Sequence, residues 1–132
     1  MRAWKFYFIA TIACAISSAA IAQTKEVFAC IEHQSGGFEV ENRDRLKLTA
    51  FQPVGFTMVR AGNKLSVRRL NWNTIYSCRN VWNRENILQC AEDFYFIVFD
   101  TKGLRFTRAQ MYSYIDNSKD GLLITYGDCQ RL

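Results

Sequence analysis

From Lys25 onward, hydrophobic positions recur mostly at every second residue, the period that sends successive side chains to opposite faces of a strand. In "KEVFACIE", Val27, Ala29 and Ile31 alternate with Phe28 and Cys30, and "FEVE" resumes the alternation after Ser35-Gly36-Gly37. Two alternating runs around a glycine turn predict a hairpin. "RLKLTAF", Arg45 to Phe51, sets Leu46, Leu48 and Ala50 opposite Arg45, Lys47 and Thr49. It is the pattern of a half-exposed strand, and Gln52-Pro53-Val54-Gly55 interrupts it because proline has no N–H for a ladder.

"FTMVR" and "KLSVRRL" flank Ala61-Gly62-Asn63, a loop whose glycine and asparagine tolerate positive φ, and they predict the clearest hairpin of the chain. "TIYSC" and "ILQCAED" flank a polar loop, "RNVWNREN", and "DFYFIVFD" leads through Thr101-Lys102-Gly103 into "LRFTRA". The run Phe94 to Phe99 is apolar on both faces, which calls for a central strand or for cover by another element. "LLITYGDC" reads as a closing strand. "QMYSYI" fits both periods, since Met111, Tyr114 and Ile115 have helical spacing and Tyr112 and Tyr114 strand spacing. Regular short strands with turn signals between them predict an all-β fold, a small antiparallel barrel or sandwich of about 7–8 strands. There is room in it for one short helix near residues 107–115.

The first residues follow another pattern. Arg2 and Lys5 precede an apolar run from Phe6 to Ile16, and Ala20-Ile21-Ala22 forms an A-x-A triplet. That order predicts a secretory signal peptide over residues 1–22, cut between Ala22 and Gln23. Residues 23–132 are then expected to form a single disulfide-bonded β domain, periplasmic or secreted, with no transmembrane span. The cut discards Cys14, one of five cysteines, and leaves Cys30, Cys78, Cys90 and Cys129 in an oxidising compartment, which implies two disulfides. Cys78 and Cys90 end and begin runs around one polar loop, while Cys30 and Cys129 lie in the first and last strands, which barrel closure brings together. The expected pairs are Cys30–Cys129 and Cys78–Cys90; the competing arrangement joins Cys30 to Cys78 and Cys90 to Cys129.

Beyond the cut, 15 basic residues face 12 acidic ones, a net charge of +3. The basic residues are spread among acids, so no nucleic-acid partner is expected. No cofactor or metal is expected either. C-x₂-C pairs are absent and His33, the only histidine, lies three residues from Cys30, a poor zinc pattern. Asp116, Ser118, Asp120 and Gly121 match the early positions of a calcium loop, but its twelfth position is Gly127 instead of glutamate. The residues from Asp116 to Asp120 are read as a turn.

With the cysteines oxidised and His33 beside a glycine turn, no nucleophile–base relay assembles. Of the carboxylate pairs, Glu92 and Asp93 point to opposite faces of a strand, and Glu39 and Glu41 sit beside Arg43 and Arg45 as a solvated face. Candidate contact residues stand out more. Arg60, Lys64, Arg68 and Arg69 cluster on the third and fourth runs, with Lys64, Ser66 and Arg68 on one face; the same charges would also blunt an exposed strand. Trp72 and Trp82 lie in polar stretches, as aromatic residues at sugar or protein contacts do.

In size, export signal and cysteine usage the layout is similar to that of the small periplasmic lysozyme inhibitors. Their serine-rich, tyrosine-containing loop motif is absent, and no residue roles carry over. The expected function is a non-enzymatic binding or inhibitor-type module meeting a protein or glycan of the cell envelope. The alternatives are a small envelope hydrolase with a carboxylate site, or a structural envelope or secretion component.

Overall fold

The computed structural model describes residues 23–42, 45–111, 115 and 121–132. The expected signal segment, the calcium-loop-like residues Asp116 to Asp120 and Tyr112 to Tyr114 of "QMYSYI" lie outside them.

Nine antiparallel strands follow one another: β1 (Lys25–Asn42), β2 (Arg45–Phe51), β3 (Gly55–Ala61), β4 (Lys64–Arg69), β5 (Trp72–Val81), β6 (Arg84–Glu92), β7 (Tyr95–Asp100), β8 (Arg105–Gln110) and β9 (Leu122–Arg131). Each strand from β3 to β9 pairs with the next, and β1 pairs with both β3 and β9. Eight strands therefore close into an up-and-down barrel, a closure that removes sheet edges. The ninth, β2, pairs with the second half of β1 beyond the point where β3 leaves it. Pro53 sits in the break between β2 and β3, as its missing donor requires.

Two expectations are corrected. β1 runs unbroken through Ser35-Gly36-Gly37 instead of turning there. The reason is close approach: a Cβ on Gly37 would collide with the Leu122 carbonyl of β9, so the glycine lets two strands meet. Similarly, residues 107–110 belong to β8 and are not helical.

The inward rows form the core. Phe28, Met58, Leu65, Val67, Ile97 and Phe99 have no exposed surface. Two edge-to-face aromatic pairs span the interior, Phe28 with Phe99 at 4.9 Å and Phe56 with Phe106 at 5.1 Å. Both expected disulfides are present, Cys30–Cys129 and Cys78–Cys90, each between directly opposed residues with Cα atoms 4.0 Å apart. In the ring of eight strands the β1–β9 seam lies opposite the β5–β6 seam, so the bridges clamp two sides of the barrel.

β1 carries a bulge between Glu32 and Gln34. The extra residue, His33, stays outside, where its Nε2 meets Asp128 at 2.9 Å and its ring stacks on Tyr126. Without that shift of phase, Glu32 and Ser35, three residues apart, could not both be buried. Gly127 faces the bulge, and a Cβ there would collide with the Ile31 carbonyl oxygen.

Candidate functional site

The two ends of the barrel are built differently. At one end, which carries the β3–β4, β5–β6 and β7–β8 turns, Glu26 lies between Arg60 at 3.2 Å and Arg131 at 3.3 Å. Arg131 also covers the Phe28 ring, 5.5 Å from its centroid. These side chains plug that end. The other end opens into a cavity of about 530 Å³ lined by inward-facing residues of β1, β5, β7 and β8 and by the β2–β3 break.

Glu32 and Arg108 form the wall of this cavity. The inward row of β1 continues from Phe28 and Cys30 to Glu32, whose side chain is only 1% exposed. A bare buried carboxylate would be prohibitively costly, and two hydrogen bonds, one to each oxygen, compensate it. Arg108 of β8 donates from Nη2 to Oε1. The Val54 N–H donates to Oε2 at 3.0 Å, and the Glu32 N–H donates to the Val54 carbonyl at 3.0 Å. Glu32 thus ties the β2–β3 break to the barrel wall. The Arg108 guanidinium lies 5.8 Å from the centroid of the Phe56 ring, a cation–π arrangement.

Among the described residues, two buried side-chain atoms lack a hydrogen-bond partner, the Tyr76 hydroxyl and Arg108 Nε. Burial pushes the Tyr76 hydroxyl up to about 12, with Arg108 pulling the other way, so it remains a protonated donor at every physiological pH. Trp72 and Tyr95 stand on the cavity wall with ring centroids 6.3 Å apart. Arg69 joins them with an exposed side chain.

The contact residues expected from the sequence are dispersed. Trp72 lines the cavity and packs partly against the core. Trp82 is 79% exposed at the opposite end, in the two-residue turn Trp82-Asn83, where both residues have positive φ. The strands flanking that turn extend into what looked like a longer polar loop. Arg60 belongs to the plugged end with Glu26. Lys64 donates to Ser77 at 2.7 Å on the outer wall, and Arg68 is exposed on the same outer face. The parity reading of Lys64, Ser66 and Arg68 is correct, with Leu65 and Val67 buried between them.

Glu32, Arg108, Tyr76 and Tyr95 did not stand out in the sequence. A signal was present for two of them: Glu32 extends the row Phe28, Cys30, and Arg108 extends the row of Phe106. A charge that falls in phase with a buried apolar row points to a compensated interior site.

Among the described residues no helix is long and apolar enough to cross a membrane, and no group of histidine, cysteine and acidic residues could hold a metal ion. Compared with known protein families, curated proteins and solved structures, the chain matches none.

Proposed function

We propose that the protein is exported and acts as a non-enzymatic binding or inhibitor-type module whose contact site is the cavity end of the barrel. The observation that carries this reading is the convergence of Trp72, Tyr95 and Arg69 on a cavity braced by a buried Glu32–Arg108 pair. Aromatic faces beside a guanidinium suit a partner offering a flat or apolar group next to an acceptor oxygen, as a glycan or an inserted protein loop does. Glu32 is the one carboxylate among the described cavity residues, and both of its oxygens are engaged. It serves to hold the wall in place. A hydrolase of the two-carboxylate kind would need a second acid facing it. Export is supported by the order of the first 22 residues and by two disulfides, which persist in oxidising compartments.

The test is capture from envelope extract on immobilised protein, with the captured species identified by mass. Arg69→Ala and Trp72→Ala should each lower capture at least about tenfold. Arg69 is exposed, so its substitution leaves the melting temperature nearly unchanged, which separates contact from folding. Capture lost on Trp82→Ala and indifferent to Arg69 and Trp72 would place the contact at the plugged end and overturn the assignment. Intact mass of the protein from its native compartment should begin at Gln23; a membrane-bound species retaining Met1 would overturn export.

A further inference from the structure

The outer surface of the barrel has two unlike walls. Over β4, β5 and β6 most outward residues are polar and bonded to one another, Lys64 to Ser77, Ser66 to Asn73 at 2.9 Å, and Arg79 to Gln89 at 2.9 and 3.0 Å, with Ile75 an exposed apolar residue among them. Over β2, β1, β9, β8 and β7 the register aligns apolar side chains instead. Ala50, Gly36, Ile124, Ala109 and Phe96 occupy one cross-strand row. Phe38 lies between Leu48 and Leu122 in the row above. Gln34, Tyr126, Thr107 and Val98 form the row below. None of these three rows contains a charged residue. One row further down the wall turns polar, with Asp128, Arg105 and Asp100 in register and His33 bonded to Asp128.

This wall explains why Phe94 to Phe99 is apolar on both faces. Ile97 and Phe99 fill the core, while Phe96 and Val98 point outward and remain 37% and 38% exposed. Leu48 is 76% exposed and Ile124 67%. Among the described residues no element of the chain covers them.

We propose that a second copy of this chain covers the wall, in a twofold face-to-face packing of the two sheets. The area suits a dimer. Leu48, Phe38, Ile124, Phe96, Tyr126 and Val98 retain 37% to 76% of their exposure. With full exposure near 200 Å² for such side chains, they present on the order of 600 Å². Flanking atoms bring this close to the ~800 Å² that each partner gives to a standard interface. The charge pattern favours self-association as well. An uncharged centre sets no like charges against each other across a twofold axis, and the rim mixes both signs, Arg105 in register with Asp128 and Asp100, which already accept from His33 and from Asn86 and the Lys102 N–H, so no single-sign rim opposes the approach of a second copy. An anionic lipid surface would ask instead for a basic rim, and two carboxylates stand there.

Sedimentation equilibrium of the disulfide-bonded protein, from roughly 1 to 200 µM, tests this. The expected result is a monomer–dimer equilibrium that Leu48→Asp and Ile124→Asp each weaken at least about tenfold, since a charge would enter an apolar interface. Ile75→Asp, at a 54% exposed position on the polar wall, should leave the equilibrium unchanged. Leu48→Ser and Ile124→Ser serve where an aspartate variant does not fold, as judged by its melting curve. A protein monomeric throughout the range overturns the proposal, as does a dimer indifferent to both sites or equally sensitive at Ile75. Binding to anionic vesicles by the monomer alone would give the wall a different occupant and overturn it too.

Discussion

Both ends of the barrel carry the same arrangement, a glutamate of β1 held by arginine with that arginine over a phenylalanine ring. At the plugged end Glu26 is shared by Arg60 and Arg131, and Arg131 covers Phe28. At the cavity end Glu32 is held by Arg108, which covers Phe56. The difference is burial: the Glu26 side chain is 30% exposed and that of Glu32 1%. Partly exposed pairs are screened by water and contribute about 0–1 kcal/mol. A buried pair gains little net stability over an apolar replacement, yet breaking it leaves an uncompensated charge and costs about 3–5 kcal/mol. The same residues thus make a surface latch at one end and a braced wall at the other.

The disulfide lying between the two ends sets the largest expected effect. Cys30 sits between Glu26 and Glu32 on the inward row, and its bridge to Cys129 closes a 99-residue separation. On the loop-entropy model, the Cys30→Ala, Cys129→Ala double variant loses about 4.7 kcal/mol. Loss of the Cys78–Cys90 bridge, with a separation of 12, costs about 3 kcal/mol. Denaturant unfolding of both double variants should preserve that order; the reverse would mean that strand pairing alone holds the β1–β9 seam.

Next in size is Glu32→Ala, which strands the Arg108 charge and frees the Val54 N–H, and should destabilise by about 3–5 kcal/mol. Replacing Glu32 and Arg108 together by apolar residues should recover much of that loss. A double variant no more stable than Glu32→Ala would show that the bond to Val54, and not the charge, is what the wall needs.

Tyr76→Phe probes the same end through pH. The hydroxyl titrates near 10 when exposed and is raised to about 12 in the fold. The folded state therefore favours the protonated form. That contribution is fully present below pH 10 and is lost as pH rises from 10 towards 12, up to about 3 kcal/mol. Tyr76→Phe should flatten the stability profile over that window. At neutral pH it should stabilise by about 1 kcal/mol, because it removes a buried donor without a partner. An unchanged alkaline slope would mean that Tyr76 is not the group responsible.

The smallest effect belongs to the plugged end. Glu26→Gln should cost less than about 1 kcal/mol, and the difference from wild type should shrink further in 1 M salt. A cost equal to that of Glu32→Ala would erase the distinction between the two ends.

The fold was legible in the sequence wherever the pattern of period two was unopposed. β3 and β4, the break at Pro53, the two-faced apolar β7 and both disulfides follow from alternation, proline chemistry and the ordering of cysteines. Gly36-Gly37 misled because glycine serves turns and close strand approach equally, and only the position of β9 decides between them. The pairing of Trp72 with Trp82 as contact residues shows the same limit. The two lie ten residues apart, at opposite ends of β5 and its turn, and a strand of that length spans the barrel.

What the sequence determined by itself is local: which residues alternate, where the chain must break, and that four cysteines remain after the expected cut. It also placed Glu32 in phase with Phe28 and Cys30. Only the tertiary structure decided that this row faces the interior, that a bulge keeps Ser35 buried behind it, and that Arg108, 76 residues away, arrives to compensate the charge. Alternation specifies two faces of a strand without saying which one is inside. Closure of the barrel makes that choice, because it sets one face of every strand against all the others.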